Sequence, residues 1–356
     1  MTKESTSFTN DFVASYNAAS MDGAIGVALD VANGVAYVAS YRAASITAID
    51  ISDPSNLVEL DSYTSDSLNG AEGVALDVAN SVVYVASYDA ASITAIDISD
   101  PSNLAEIGSY TSGSLDGAES IALDVANGVA YVASYDADSI TAIDISNPSN
   151  LVELDSYTSG SLNGAIGVAL DVANEVVYVA SIVAASITAI DISDPSNLVE
   201  LDSYTSGSLN GAIGVALDVA NGVAYVASIV ADSITAIGIS DPSVLVELGS
   251  YTSASMDGAE GVALDVANGV AYVTSYDAAS ITAIGISDPS NLVELDSYTS
   301  TAMDGAEGVA LDVANGVVYV ASTVADSITA IGISDPSDLV EFDSLSSSTS
   351  MEVRMN

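Results

Sequence analysis

The sequence contains no cysteine, no histidine and no tryptophan, and its basic residues are only three, Lys3, Arg42 and Arg354. Without cysteine there are no disulfides, and the redox compartment cannot be read. Without histidine or cysteine, hydrolytic triads and thiol nucleophiles are excluded, and the abundant serines have no basic partner to activate them. Three scattered cations cannot build an arginine pocket for a carboxylate. Against them stand 49 acidic residues, for a net charge of −46. Such a field repels phosphate, which argues against nucleic acid and anionic membranes and favours cations or a cationic partner. Long apolar runs are missing too. The longest uncharged stretch, Val176 to Ile190, has 15 residues, short of the roughly 20 of a spanning helix. Met1 to Ser20 carries Glu4 and Asp11 and no apolar h-region, so no secretory signal is read there.

What is present is apolar and periodic. Hydrophobic residues make up 49% and charged ones 15%, the reverse of a disordered composition. A Gly-Ala pair recurs at Gly23, Gly70, Gly117, Gly164, Gly211, Gly258 and Gly305, every step being 47 residues. Seven units therefore run from Gly23 to Met351 in one domain spanning 1–356, with residues 1–22 before them and a tail at 352–356.

The unit from Gly70 reads as four strands, Gly73–Val78, Val82–Ser87, Ser92–Ser99 and Leu104–Tyr110. They are rich in Val, Ile, Ala, Tyr and Thr and are separated by turn residues. Between the first two sits Asn-Gly in five units, the signature of a two-residue type I′ hairpin. Asn80-Ser81 and Asn174-Glu175 have lost the glycine, which predicts strain there. Between the last two sits a Pro turn such as Asp53 to Asn56, and all seven prolines lie in these turns.

One four-stranded meander cannot bury both faces. Seven arranged radially can, and both parities of GVALDVA and VAYVAS are apolar. The predicted fold is all-β: a seven-bladed β-propeller of 47-residue antiparallel blades, strand one lining a channel and strand four forming the rim. Acidic residues of strand four, such as Glu59 and Asp61, are expected to block edge pairing. An open solenoid is the architectural rival, but its rungs would be shorter and lack these hairpins. Phe12 to Tyr16 has the phase of a fourth strand, Tyr16 lying 47 before Tyr63. It is expected to close the seventh blade, either competing with Leu339–Leu345 or lying beside it.

Ser45 to Tyr63, SITAIDISDPSNLVELDSY, resembles the LVIVD-repeat proteins, and VAYVAS is similar to the YVTN surface-layer propellers. The resemblance covers all seven units. It implies a β-propeller, often exported and cell-surface associated, of mostly unassigned activity. Gly238, Gly285 and Gly332 depart from it by replacing the Asp that ends strand three. Localisation stays open.

The repeat also shows where the chain breaks its own symmetry. One set of changes lies between strands two and three: Tyr41-Arg42, Tyr88-Asp89, Tyr135-Asp136, Ile182-Val183, Ile229-Val230, Tyr276-Asp277 and Thr323-Val324. The other precedes strand one: Ile25, Glu72, Glu119, Ile166, Ile213, Glu260 and Glu307. In a propeller both sets share one face, and function tends to sit on loops held by a rigid scaffold. All of these except Thr323, Val324, Ile25, Ile166 and Ile213 are the candidate residues for a protein or glycan ligand, with an acidic half and an apolar arc at blades four and five. Drift after recent amplification of the repeat explains the same variation equally well. Arg42 is read as an anion anchor, a partner of Asp89, or a chance substitution. No catalytic residue is assigned. A carboxylate pair is the one catalytic arrangement left open. No cofactor is required. Calcium, which prefers oxygen ligands, is considered for the ring Asp30, Asp77, Asp124, Asp171, Asp218, Asp265 and Asp312, although no calcium-loop motif is encoded and each Asp can instead bond turn backbone. The expected protein is a non-catalytic binding or scaffold propeller, monomeric. The alternative is a structural surface or secreted protein, with or without calcium.

Overall fold

A computed structural model describes residues 14–341. The sheets number seven. Six are complete four-stranded antiparallel meanders taken in chain order. The first is Ala24–Asp30, Val35–Ser40, Ser45–Asp50 and Val58–Thr64. The first strands of successive blades contact one another around the axis, and those of the first and last blades meet, so the ring is closed. No helix among the described residues is long and apolar enough to cross a membrane.

The blades pack because the second strand is buried on both faces. Every residue of Val35–Ser40 is buried. Val35, Tyr37 and Ala39 pack into the following blade, against Val83 and Val85. Ala36 and Val38 pack into the preceding one, against Tyr319 and Ala321. The largest knobs are Tyr37, Tyr84, Tyr131, Tyr178, Tyr225, Tyr272 and Tyr319, none more than 1% exposed. A short 3₁₀ turn before each blade adds one buried anchor, such as Leu68 in Asp66–Leu68.

Three turn and edge readings change. The loop after the first strand is not a two-residue type I′ hairpin. It has four residues in two overlapping turns, Asn33 N–H donating to Asp30 O and Gly34 N–H to Val31 O, and only Gly34 takes positive φ, +66°. The Asp30 carboxylate explains the preference, accepting from Asn33 N at 3.1 Å and Asn33 Nδ2 at 2.7 Å. Strain at the two glycine-free copies is present: Ser81 and Glu175 both sit at φ 55°. Glu175→Gly is therefore expected to stabilise the chain by about 1 kcal/mol, read as a higher urea midpoint. A lower midpoint would contradict it.

The acidic residues of strand four tie blades together as well as facing the rim. Glu153 accepts from Tyr110 Oη at 3.3 Å and Ser114 Oγ at 2.6 Å of the preceding blade. Asp61 accepts from Leu104 N of the following blade at 2.8 Å. The Pro turn forms as read, Asp53 accepting from Ser55 N at 3.0 Å.

In the seventh blade both termini supply the outer strand, end to end. Ser15–Asn17 pairs with Ser327–Gly332, Tyr16 opposite Ile328. Val340–Glu341 pairs with the other end of the same strand, Val340 opposite Gly332. Between them Ala330 N donates to Ala14 O at 3.1 Å. The change of chain falls where the other blades carry a bulge in strand four, as between Ala48 and Ile49. Tyr16 Oη then reaches Glu59 of the first blade at 2.9 Å. Phe12, Val13 and the segment to Leu345 lie outside the described residues.

Candidate binding site at the channel mouth

Each first strand opens with a register shift. In the first blade Ala24 faces Ser40, but Gly26 already faces Ala39, leaving Ile25 as the extra residue of a β-bulge. A bulge re-aims its side chain. Here it points Ile25, Glu72, Glu119, Ile166, Ile213, Glu260 and Glu307 at one cavity of about 450 Å³ on the channel axis. Sequence reasoning found these positions from their variation but not the bulge that aims them.

A collar of glycine lies just below. A Cβ on Gly26 would collide with Glu72 O, and one on Gly167 with Ile213 O. The glycine lets adjacent first strands approach closely enough to bring the carboxyls together. In the third blade Ser120 takes this position.

Glu72 is buried, at 9% exposure, and Glu119, Glu260 and Glu307 are half-buried. Burial raises the Glu72 carboxyl well above the ordinary 4.5, helped by the neighbouring carboxyl of Glu119 and by the charges of Glu307 and Asp89. Burial also raises Glu119, and Asp136 adds to it. Glu260 is pushed well up by burial and then by Glu307, Glu119 and Asp277. Glu307 is raised to about 7 by burial, although Thr323 and Arg42 partly offset this. Thr323 Oγ1 donates to Glu307 Oε1 at 2.6 Å.

The loops between strands two and three surround this cavity, so both variable sets do share one face. Tyr41, Tyr88 and Tyr135 form a ladder with ring centroids 6.4 Å apart at each step. Tyr88 Oη donates to Asp136 Oδ2 at 2.8 Å. Burial and then Asp136 raise the Tyr88 phenol. Asp89, Asp136 and Asp277 are exposed, and Tyr276 stands apart from the ladder between Ile229 and Thr323 in ring order. On the apolar arc Ile182 and Ile229 are half-buried, while Val183 is 55% and Val230 61% exposed.

Arg42 does not pair with Asp89. Its Nη1 lies 3.3 Å from Asp22 and 3.5 Å from Asp326 and donates to Thr323 O at 2.9 Å, bridging the first and seventh blades. Asp326 belongs to a set the sequence reading missed. Asp138, Asp232 and Asp326 replace an alanine of the repeat at left-handed backbone positions, and each accepts from the N–H of a Gly in the next blade, as Asp138 does from Gly164 at 2.8 Å. The signal was the Asp-for-Ala exchange in alternate blades.

The Asp30 ring lies away from this mouth. All seven members spend both carboxylate oxygens on the Asn three residues later. Among the described residues no group of three or more acidic side chains is arranged to hold a metal ion.

Fold and mouth together define a seven-bladed β-propeller with near-identical blades and one differentiated face. The LVIVD repeat matches at residues 27–65, 74–112, 118–159, 170–206, 216–253 and 263–300, and the chain belongs to the LVIVD-repeat family. The unmatched seventh blade is the one whose outer strand is split between two stretches of chain. No curated protein matches the sequence. Among solved structures, a streptogramin B lyase is similar at TM-score 0.67 and 16% identity, over 92% of this chain and 99% of that one. A catalytically inactive histidine-to-alanine variant of virginiamycin B lyase from Staphylococcus aureus, with quinupristin, has TM-score 0.66 and 14% identity over 89% and 98%. A Bacteroides fragilis protein, provisionally assigned as a 6-phosphogluconolactonase, has TM-score 0.69 and 11% identity over 96% and 98%. At these identities the likeness is one of fold.

Proposed function

We propose that this chain is a non-catalytic binding propeller that captures a ligand or protein partner on the face around the channel mouth. The observation that carries the reading is where the blades differ. Cores, Pro turns and Asp–Asn turns repeat around the ring, while the bulge residues and the loops above them sort into a tyrosine–carboxylate sector and an apolar arc. Exposed Val183 and Val230, beside each other in ring order, are the kind of apolar surface that partners cover. The S. aureus lyase is inactive once a histidine is lost, and this chain has no histidine with which to supply such a step.

The test is an array of glycans and peptides probed with wild type, Tyr88→Ala and Val183→Asp/Val230→Asp, each with calcium and with chelator. Hits lost in at least one variant at unchanged melting temperature support the reading. Hits indifferent to both variants contradict it.

A second reading, a carboxylate-only hydrolase, draws on one observation: buried Glu72 and half-buried Glu119 line one cavity with both carboxyls raised above the ordinary range, as a general acid beside a second carboxyl would be. It predicts turnover of aryl glycosides between pH 4 and 8 that Glu119→Gln abolishes. The binding reading predicts none.

A further inference from the structure

In ring order the mouth reads Ile25, Glu72, Glu119, Ile166, Ile213, Glu260, Glu307. The four carboxyls fall into two adjacent pairs at opposite sides of the cavity. Isoleucine separates them, one residue on one side and two on the other. The cavity thus has two acidic poles and an apolar waist.

The first pole is incomplete as it stands. Glu72 is 9% exposed and lines the cavity, yet it is matched by no N–H or O–H donor among the described residues. What its carboxyl faces is another carboxyl, that of Glu119. The Glu72 carboxyl opens onto the cavity rather than being sealed in the core, so a ligand entering there can supply the donor. Above this pole stands the Tyr41–Tyr88–Tyr135 ladder, whose ring faces attract a cation. At the second pole Glu307 has Thr323 as its donor and Arg42 nearby, whereas Glu260 lines the cavity under the negative charges of Glu307, Glu119 and Asp277.

We propose that the channel mouth binds a small linear organic dication, two ammonium groups joined by an aliphatic chain. One ammonium sits between Glu72 and Glu119 beneath the tyrosines, the other beside Glu260, and the methylenes lie along the isoleucine waist. An ammonium supplies three N–H donors to carboxyls that lack them. A monoamine satisfies one pole only. Among the described residues no group of three or more acidic side chains converges on a metal ion. The proposal rests on the binding reading above and gives it a ligand class.

The test is titration calorimetry of the full chain with 1,4-diaminobutane, n-butylamine and calcium chloride at constant ionic strength, in two buffers of different ionisation enthalpy. The diamine is expected to bind once per chain, at least tenfold tighter than butylamine. It should release protons, because an ammonium drives the carboxyls to ionise against Asp89, Asp136 and Asp277, which crowd the same mouth. Glu72→Gln and Glu260→Gln, which keep shape and remove charge, should each weaken it at least tenfold. Asp53→Asn, on a Pro turn, should leave it unchanged. No saturable diamine signal, equal binding by calcium, or full binding by Glu72→Gln would overturn the proposal. If the diamine is silent while array hits still depend on Tyr88, this inference falls and the binding reading stands. If both are silent, both fall.

Discussion

At pH 8 the Glu307→Gln variant is expected to be more stable than wild type by on the order of 3 kcal/mol, and the difference should shrink as the pH is lowered towards 4.5. The carboxyl titrates at about 7 in the folded chain against an ordinary 4.5, and each pH unit of that gap corresponds to about 1.4 kcal/mol. Between those two values the folded state holds a proton that the unfolded state has given up. Stability therefore falls as pH rises from about 4.5 to about 7 and stays reduced above. Below 4.5 both states are protonated and the cost vanishes. Glutamine, having no charge to bury, removes the cost at every pH while keeping the oxygen that accepts from Thr323. Glu72→Gln and Glu260→Gln should act in the same direction, since burial raises both carboxyls well above the ordinary range. The opposite limb comes from Asp50, Asp97 and Asp144, held low by hydrogen bonds from Ser52, Ser99 and Ser146. Their contribution is present above the ordinary 3.8 and lost below it, so wild-type stability is expected to peak near pH 4 to 5. Denaturant melts of both proteins from pH 3 to 9 check this. A wild type most stable at pH 8, or a variant that gains nothing there, would contradict it.

Removing the chain through Asn17 is expected to cost about 3–5 kcal/mol, the scale of losing a packed aromatic together with several ladder bonds. The loss has identifiable parts. Tyr16 leaves the cluster formed by Ala36, Val38 and Ile328, Glu59 loses one of its two donors, and Ser327, Ile328 and Thr329 lose their partners. The effect is larger than for three residues elsewhere on the rim, because this strand joins the first and last blades. An unpaired edge is also a template for another chain, so the truncated protein should self-associate more than wild type. A peptide covering residues 12–20, added in trans, should restore the melting temperature. Truncation without effect would mean that packing of the first strands alone closes the ring.

The fold was readable because the repeat is nearly perfect. Seven Gly-Ala pairs at one spacing, alternating apolar strands and prolines confined to one turn leave little besides a propeller. The face was readable from the same repetition, since what varies in an otherwise uniform ring must sit where the scaffold does not constrain it. Other features depend on three-dimensional approach and had no local signal. The bulge at Ile25 and its equivalents arises from how a strand turns into the channel. Burial of Glu72 and the pairing of Arg42 with Asp22 and Asp326 depend on neighbours that sequence distance hides. The turn after the first strand was misread because Asn-Gly suggests a two-residue loop, whereas the Asp30 carboxylate, three residues before Asn33, builds a longer one. The split seventh blade was half visible in the phase of Tyr16. Where the two termini hand over was set by a bulge that no residue type announces.

Four glutamates, one buried and three half-buried, are held close together at the mouth of the channel. Carboxyl carbon NMR on chain labelled with ¹³C-glutamate, titrated from pH 3 to 9, measures this directly. Four side-chain signals should titrate above the ordinary 4.5, those of Glu72 and Glu260 well above it and that of Glu307 at about 7, and each should vanish in its own Gln variant. All glutamates titrating together near the ordinary value would contradict a buried carboxylate mouth, and with it the site proposed there.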